Sequence, residues 1–207
     1  ALLHRWHDMY ALGDVPDYEQ PRERSLGARA AAQGRRPESL VIEQLLSDDG
    51  RGMVYVPFLN YADGDLGPSL AMLRHKDTIP GLSDGGAHVG MICDGSFPTT
   101  LLTHWTRDRK GEKLPLANVI RMQSRDTAAA LGLHDRGRIA PGLRADLNVI
   151  DHDRLTLLAP EIAHDLPAGG RRLLQRATGY RATIVAGQIT YRDGAATGAL
   201  PGRLVRG

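Results

Sequence analysis

The stretch of this chain best suited to chemistry is Ser83-Asp84-Gly85-Gly86-Ala87-His88. Asp84 follows a short run, Thr78-Ile79-Pro80-Gly81-Leu82, that reads as a strand, and the two glycines let the backbone bend sharply beneath it. A carboxylate at the end of a strand can ligate a metal or take a proton from a metal-bound water. His88 stands four residues further on, where it could orient a loop or the carboxylate itself. Asn60 and Tyr61 follow an earlier apolar run, Met53 to Leu59, and could line the same mouth and touch a substrate. The plainer alternative is that both polar stretches are ordinary turns, where Ser, Asp, Asn and Gly are favoured anyway. Residue types alone leave that choice open.

Other reactive side chains are sparse. His4 and His7 are three apart, which would put them on one helical face, but their surroundings read as loop. No His-x-His pair occurs, and Cys93 reads as a packed thiol. His104, Trp105 and Arg107 fall on a helical stretch and read as packing and surface pairs. No Gly-x-Ser-x-Gly elbow is present, so a covalent serine route has no support.

The elements that must hold these residues follow from period and punctuation. Residues 1–27 read as a long loop broken by Gly13 and Pro16. Ser25 can cap a helix that Gly34 ends, and a second helix should begin after Pro37 and close at Asp48-Asp49-Gly50. Met53 to Leu59 is rich in β-formers, Leu66 to His75 can form a short helix, and Pro98 to Arg107 and Leu116 to Leu131 are helical candidates. Residues 37–131 thus alternate helix and strand, as parallel β/α units do. After Gly132 the character shifts to turns and strands. Ala145 to Asp151 reads as one strand, and Ala182 to Tyr191 as a hairpin turning at Ala186-Gly187. Residues 160–179 read as mixed loop.

Bulk composition narrows the class. Among 207 residues, 42% are apolar, enough for a packed core, yet only 5% are aromatic. Net charge is +2, with acidic and basic residues well mixed, which argues against a nucleic-acid binder. One cysteine cannot form an internal disulfide. No apolar run approaches the roughly 20 residues that span a bilayer, and the first residues lack the zones of a signal peptide. A cytoplasmic protein with neither membrane nor nucleic-acid partner is the expectation.

The run Gly81 to His88, followed by Phe97-Pro98-Thr99, resembles the last barrel strand of the D-aminoacylase branch of the amidohydrolase superfamily. Leu101 to Asp108, Arg125-Asp126-Thr127-Ala128-Ala129, Leu131-Gly132-Leu133 and Gly137 to Asp151 continue the likeness in the family's order, and Pro16-Asp17-Tyr18-Glu19 shares it upstream. The resemblance implies an α/β chain: the C-terminal βα units of a (β/α)8 metal-dependent hydrolase barrel plus part of a small β-sandwich. Residues 1–36 would lead into the barrel, 37–137 would supply its closing units, and 138–207 the sandwich strands.

It also implies a zinc enzyme that hydrolyses the amide of N-acyl-D-amino acids. Asp84 would be both a metal ligand and the general base toward zinc-bound water, with Asn60, Tyr61 and His88 near the substrate. The family's histidine and cysteine ligands lie on earlier strands, so most zinc ligands are expected from a missing N-terminal half or a partner chain. Alone, the chain should be inactive. Two alternatives stand beside this: a cyclic-amide amidohydrolase related to hydantoinase or dihydroorotase, and a non-catalytic complementation or assembly module.

Overall fold

The computed structural model describes residues 5–81 and 88–205. The chain mixes helix and strand and divides into two compact units, Ala1–Thr78 with Ala159–Glu161, and Ile79–Leu158 with Ile162–Gly207. No helix among the described residues is long and apolar enough to cross a membrane.

The first unit holds β1 (Tyr10–Leu12), α1 (Leu26–Ala32), α2 (Pro37–Gly50), β2 (Met53–Tyr55) and α3 (Gly67–Arg74). Ser25 starts α1 as expected, its hydroxyl accepting the Ala28 N–H at 3.1 Å and so meeting one of the donors that every helix start leaves over. Pro37 opens α2, where its missing N–H has no consequence. That helix breaks at Ser47, whose ψ of 158° is extended, and Asp48 and Asp49 carry φ of 50° and 54° through a left-handed turn. Met9, Leu26, Ala30 and Leu40 form the core of this unit, with Trp6, Val41 and Val54 packed against it.

Two expectations are corrected here. Residues 1–27 are not one long loop: β1 lies within them and its Tyr10 is 1% exposed. Nor, among the described residues of 37–131, is a parallel strand pair seen. β2 pairs antiparallel with β1, Tyr10 opposite Tyr55 and Leu12 opposite Met53, and every strand pair with a described register is antiparallel. Residues 78–81 carry no strand. The Thr78 N–H is already bonded to the His75 carbonyl, and Pro80 has no N–H to offer a neighbour.

The second unit contains α4 (Phe97–Thr103), which runs on through a π-helical turn, His104–Asp108. It also contains α5 (Leu116–Arg121), a second π turn, and α6 (Thr127–Ala130). Its strands are β3 (Leu147–Ile150), β4 (Thr156–Leu157), β5 (Glu161–Leu166), β6 (Gly170–Leu174), β7 (Ala177–Thr178), β8 (Tyr180–Val185), β9 (Gln188–Arg192) and β10 (Ala195–Ala196). β10, β9, β8 and β3 form one antiparallel sheet in that order. The β8–β9 hairpin turns at Ala186-Gly187, as read from sequence, with φ of 49° and 79° at the two positions. Residues 160–179, expected as loop, instead form β5 and β6, which pair with each other, and β7, which pairs with β4.

Helix α4 is docked by side chains that bond to backbone. Arg107 donates to the carbonyls of His152 and of Leu155, the latter at 2.7 Å, and the Thr99 and Tyr180 hydroxyls meet at 2.8 Å. Leu101, Leu102 and Trp105 are buried, as are Leu155 and Leu157. The Arg109 guanidinium lies over the Trp105 ring, 5.1 Å from its centroid. Trp105 and Arg107 thus pack and bond within the unit, and the His104 ring meets Trp105 edge-on at 5.2 Å.

Replacing Ser25 by Ala removes the cap of α1 inside a site that is 0% exposed. The expected loss is about 1–2 kcal/mol of unfolding free energy, read by urea denaturation with an unchanged m-value.

Candidate functional site

Asp84, the residue assigned general-base and metal-ligand roles, lies outside the described residues, as do Ser83, Gly85 and Gly86. The flanks of that segment are described. The Pro80 carbonyl accepts from the Thr127 hydroxyl at 3.5 Å, a long bond. On the other side, the Val89 carbonyl accepts the Leu173 N–H at 2.7 Å. His88 is exposed with φ of 49°, and its carbonyl accepts from the Met91 and Ile92 amides in a tight turn. Helix α6 and strand β6 thus each bond to one flank of the segment, all within the second unit.

Asn60 and Tyr61 belong to the first unit, in the loop between β2 and α3. The structure separates their roles. Asn60 is exposed in a left-handed conformation with φ of 60°, where Asn is among the few residues tolerated. Tyr61 turns inward and is 7% exposed. Its hydroxyl donates to the Gln20 carbonyl at 2.5 Å, so its polar end is engaged inside the protein.

Around Tyr61 stands a cluster of rings that sequence reasoning missed. Tyr10 meets Tyr61 edge-on with centroids 6.2 Å apart. Tyr55 lies 6.3 Å from Tyr10 and 5.1 Å from Tyr18. Four of the chain's six tyrosines gather here. Their sequence spacing has no period, and the low aromatic content hid them.

The segment before α1 completes the arrangement. Gln20 is 7% exposed, and its amide nitrogen donates to the Ala11 and Asp17 carbonyls at 3.0 and 3.1 Å. Glu19 accepts the Leu66 N–H at 2.8 Å, at the start of α3. Arg22 donates to the Ala62 carbonyl. Gly64, with φ of +81°, lets the loop turn against Arg22, because a Cβ there would meet the guanidinium Nε at 2.5 Å.

Burial among these rings, together with the neighbouring Tyr10, Tyr55, Glu19 and Asp17, raises the Tyr61 phenol well above the ordinary tyrosine range. Tyr10 is raised too, by burial first and then by Asp8. In the second unit, burial and then Asp94 push the Cys93 thiol up, which keeps it protonated and a poor ligand or nucleophile. Among the described residues, no group of three or more His, Cys, Asp and Glu is placed to hold a metal ion.

A protein-family model described as an amidohydrolase family matches residues 9–191. The imidazolonepropionase of Ruegeria sp. (strain TM1040) is 62% identical over 39 residues, 19% of this chain and 10% of that protein. The 5-methylthioadenosine/S-adenosylhomocysteine deaminase of Nitratidesulfovibrio vulgaris (strain DSM 19637 / Miyazaki F) is 31% identical over 129 residues, 56% of this chain and 28% of that one. A D-aminoacylase crystal structure, described as defining a novel subset of amidohydrolases, is 22% identical with a TM-score of 0.49, covering 92% of this chain and 36% of its own. The chain therefore spans about a third or less of the length of each of these proteins.

Two outcomes follow from the tyrosine cluster. Tyr61→Phe leaves the buried Gln20 carbonyl without its donor and should lower stability by about 1–2 kcal/mol in denaturant titration. The phenol's raised folded-state value also sets a sign. Its contribution is full below the unfolded tyrosine value of about 10 and is lost as pH rises beyond it. Ultraviolet titration should show Tyr10 and Tyr61 ionising last, and Tyr61→Phe should flatten the alkaline loss of stability above about pH 10.

Proposed function

We propose that this chain, which belongs to the amidohydrolase family, is the portion of a hydrolase that carries the general base for cleaving the amide of an N-acyl-D-amino acid. One observation carries the reading: within the matched span, Ser83-Asp84-Gly85-Gly86-Ala87-His88, Phe97-Pro98-Thr99 and Gly137 to Asp151 follow in the order of the D-aminoacylase branch. In this reading residues 37–137 are the closing units of a (β/α)8 barrel and 138–207 belong to a β-sandwich. The antiparallel sheet of β3, β8, β9 and β10 supports the second part.

The chemistry asks little of the residues in hand. Asp84 takes a proton from the attacking water as its oxygen bonds to the acyl carbon. The carbon–nitrogen bond then breaks, and the same carboxyl returns the proton to the leaving nitrogen, which gives a carboxylate and a free amino acid. Asn60, Tyr61 and His88 are the candidates for contact with substrate, and Asn60 and His88 are exposed on turns.

Zinc, the metal of the D-aminoacylase branch, supplies Lewis-acid polarisation when bound. The described residues of this chain do not make a site for it. In this proposal its ligands other than Asp84 belong to protein outside residues 1–207, and a single cysteine fits the reducing cytoplasm expected for such an enzyme.

The curated relatives, a deaminase and an imidazolonepropionase, favour a second reading inside the same family, in which the bond broken belongs to a ring or releases ammonia. Ammonia release from a base, with no cleavage of N-acyl-D-amino acids, would select it.

The 207-residue chain purified alone should carry zinc well below one equivalent by elemental analysis and should hydrolyse no N-acyl-D-amino acid. In the complete enzyme, Asp84→Asn should lower kcat by about 10²–10⁴-fold with an unchanged circular dichroism spectrum. Full activity of that variant would refute the assignment.

A further inference from the structure

We propose that the outward face of α2, carried by Ile42, Leu45 and Leu46, seats an apolar helix from a part of the same polypeptide outside residues 1–207. This rests on the reading above of the chain as a portion of a longer protein, and it names where another portion docks.

The case starts from the helix itself. Between Pro37 and the break at Ser47, successive residues of α2 turn by about 100°. Leu40 and Gln44 therefore lie on one side, and Ile42 and Leu46 on the opposite one. The first side is accounted for. Leu40 is 4% exposed, in the core with Leu26 and Ala30, and the Gln44 amide donates to the Met53 carbonyl of β2 at 3.2 Å. The second side meets solvent. Ile42 is 56% exposed, Leu45 46% and Leu46 69%.

A surface helix carries polar and charged residues on the face away from its core. Here the face opposite the core is apolar. Glu43 lies to one side of it and is paired with Arg35 at 3.1 Å. Apolar residues on both sides are the pattern of a helix that is covered on both sides.

Three observations say what the cover is. Ile42 and Leu46 are one i, i+4 step apart, the ridge that fits a groove on another helix, and Leu45 broadens it. Three side chains of one short helix also offer far less than the roughly 800 Å² per partner that separate chains bury in a stable association. A segment of the same polypeptide escapes most of the translational and rotational cost of association, so a patch this small is enough for it. Finally, the deaminase relative is matched over 28% of its length, so it carries ample chain beyond the matched span to supply such a helix.

The test uses the complete polypeptide with Leu46→Cys, Leu40→Cys or Arg36→Cys, each checked for folding by circular dichroism. The probe is a small water-soluble maleimide, with labelling read peptide by peptide by mass spectrometry. Arg36, its side chain 82% exposed at the start of the same helix, sets the rate for an open thiol, and Leu40 the rate for a buried one. Leu46→Cys should label at least about tenfold more slowly than Arg36→Cys, at every protein concentration. Should that variant fail to fold, hydroxyl-radical footprinting of the unaltered polypeptide reads the same face at Ile42, Leu45 and Leu46, where low modification is expected. Labelling at the Arg36 rate, or full modification of the three side chains, would overturn the inference. So would protection that disappears on dilution, the sign of a second copy on this face. Protection of Leu46 in a polypeptide that cleaves no N-acyl-D-amino acid would remove the hydrolase reading and leave the docked face standing.

Discussion

A phenol buried among other rings has to give its proton to some acceptor, and Tyr61 has the Gln20 carbonyl. Much of the first unit is arranged by that requirement. Gln20 can serve only because its side chain is stapled to β1, and β1 is fixed by its pairing with β2 and by the burial of Tyr10. The low aromatic content of the chain matters less than where the rings lie: four tyrosines in one place supply the rigid apolar mass that scattered residues could not.

The second unit meets the same problem differently. Its helix α4 bonds side chains to carbonyls of the turn between β3 and β4, through Arg107, and to β8 through Thr99. A guanidinium that reaches two carbonyls is a strong directional tie. The π turn that follows α4 carries Arg107 and also Trp105, beneath Arg109. The wider turn thus contributes to anchoring rather than to chemistry.

Legibility in the sequence tracked distance along the chain. The Ser25 cap, the Pro37 start, the left-handed stop at Asp48-Asp49-Gly50 and the Ala186-Gly187 hairpin were all readable, because each depends on residues within a few positions. β4 and β7 are two residues each, too short to show a period, and were read as loop or left unassigned. The partners of Tyr61 and Leu66 stand 41 and 47 residues away, and no local signal names them. For the candidate site, sequence pointed to the loop at Asn60 and Tyr61 but not to which of the two turns inward. That depends on an acceptor offered by another segment. The run around Asp84 was recognised by its order of motifs, a kind of information that needs no contact at all.

The β8–β9 hairpin has a kinetic consequence. Val185 and Gln188 pair across a turn only two residues long, so little chain entropy is lost in bringing them together. Closing the loop from Glu19 to Leu66 confines 47 residues, and with each doubling of loop length adding about 0.6 kcal/mol, that closure is dearer by roughly 2 kcal/mol. Local pairings of the first kind form on the microsecond scale, ahead of distant ones. On refolding, the sheet around β8 and β9 can organise early as a template, and the ring-lined loop of the first unit comes into register late.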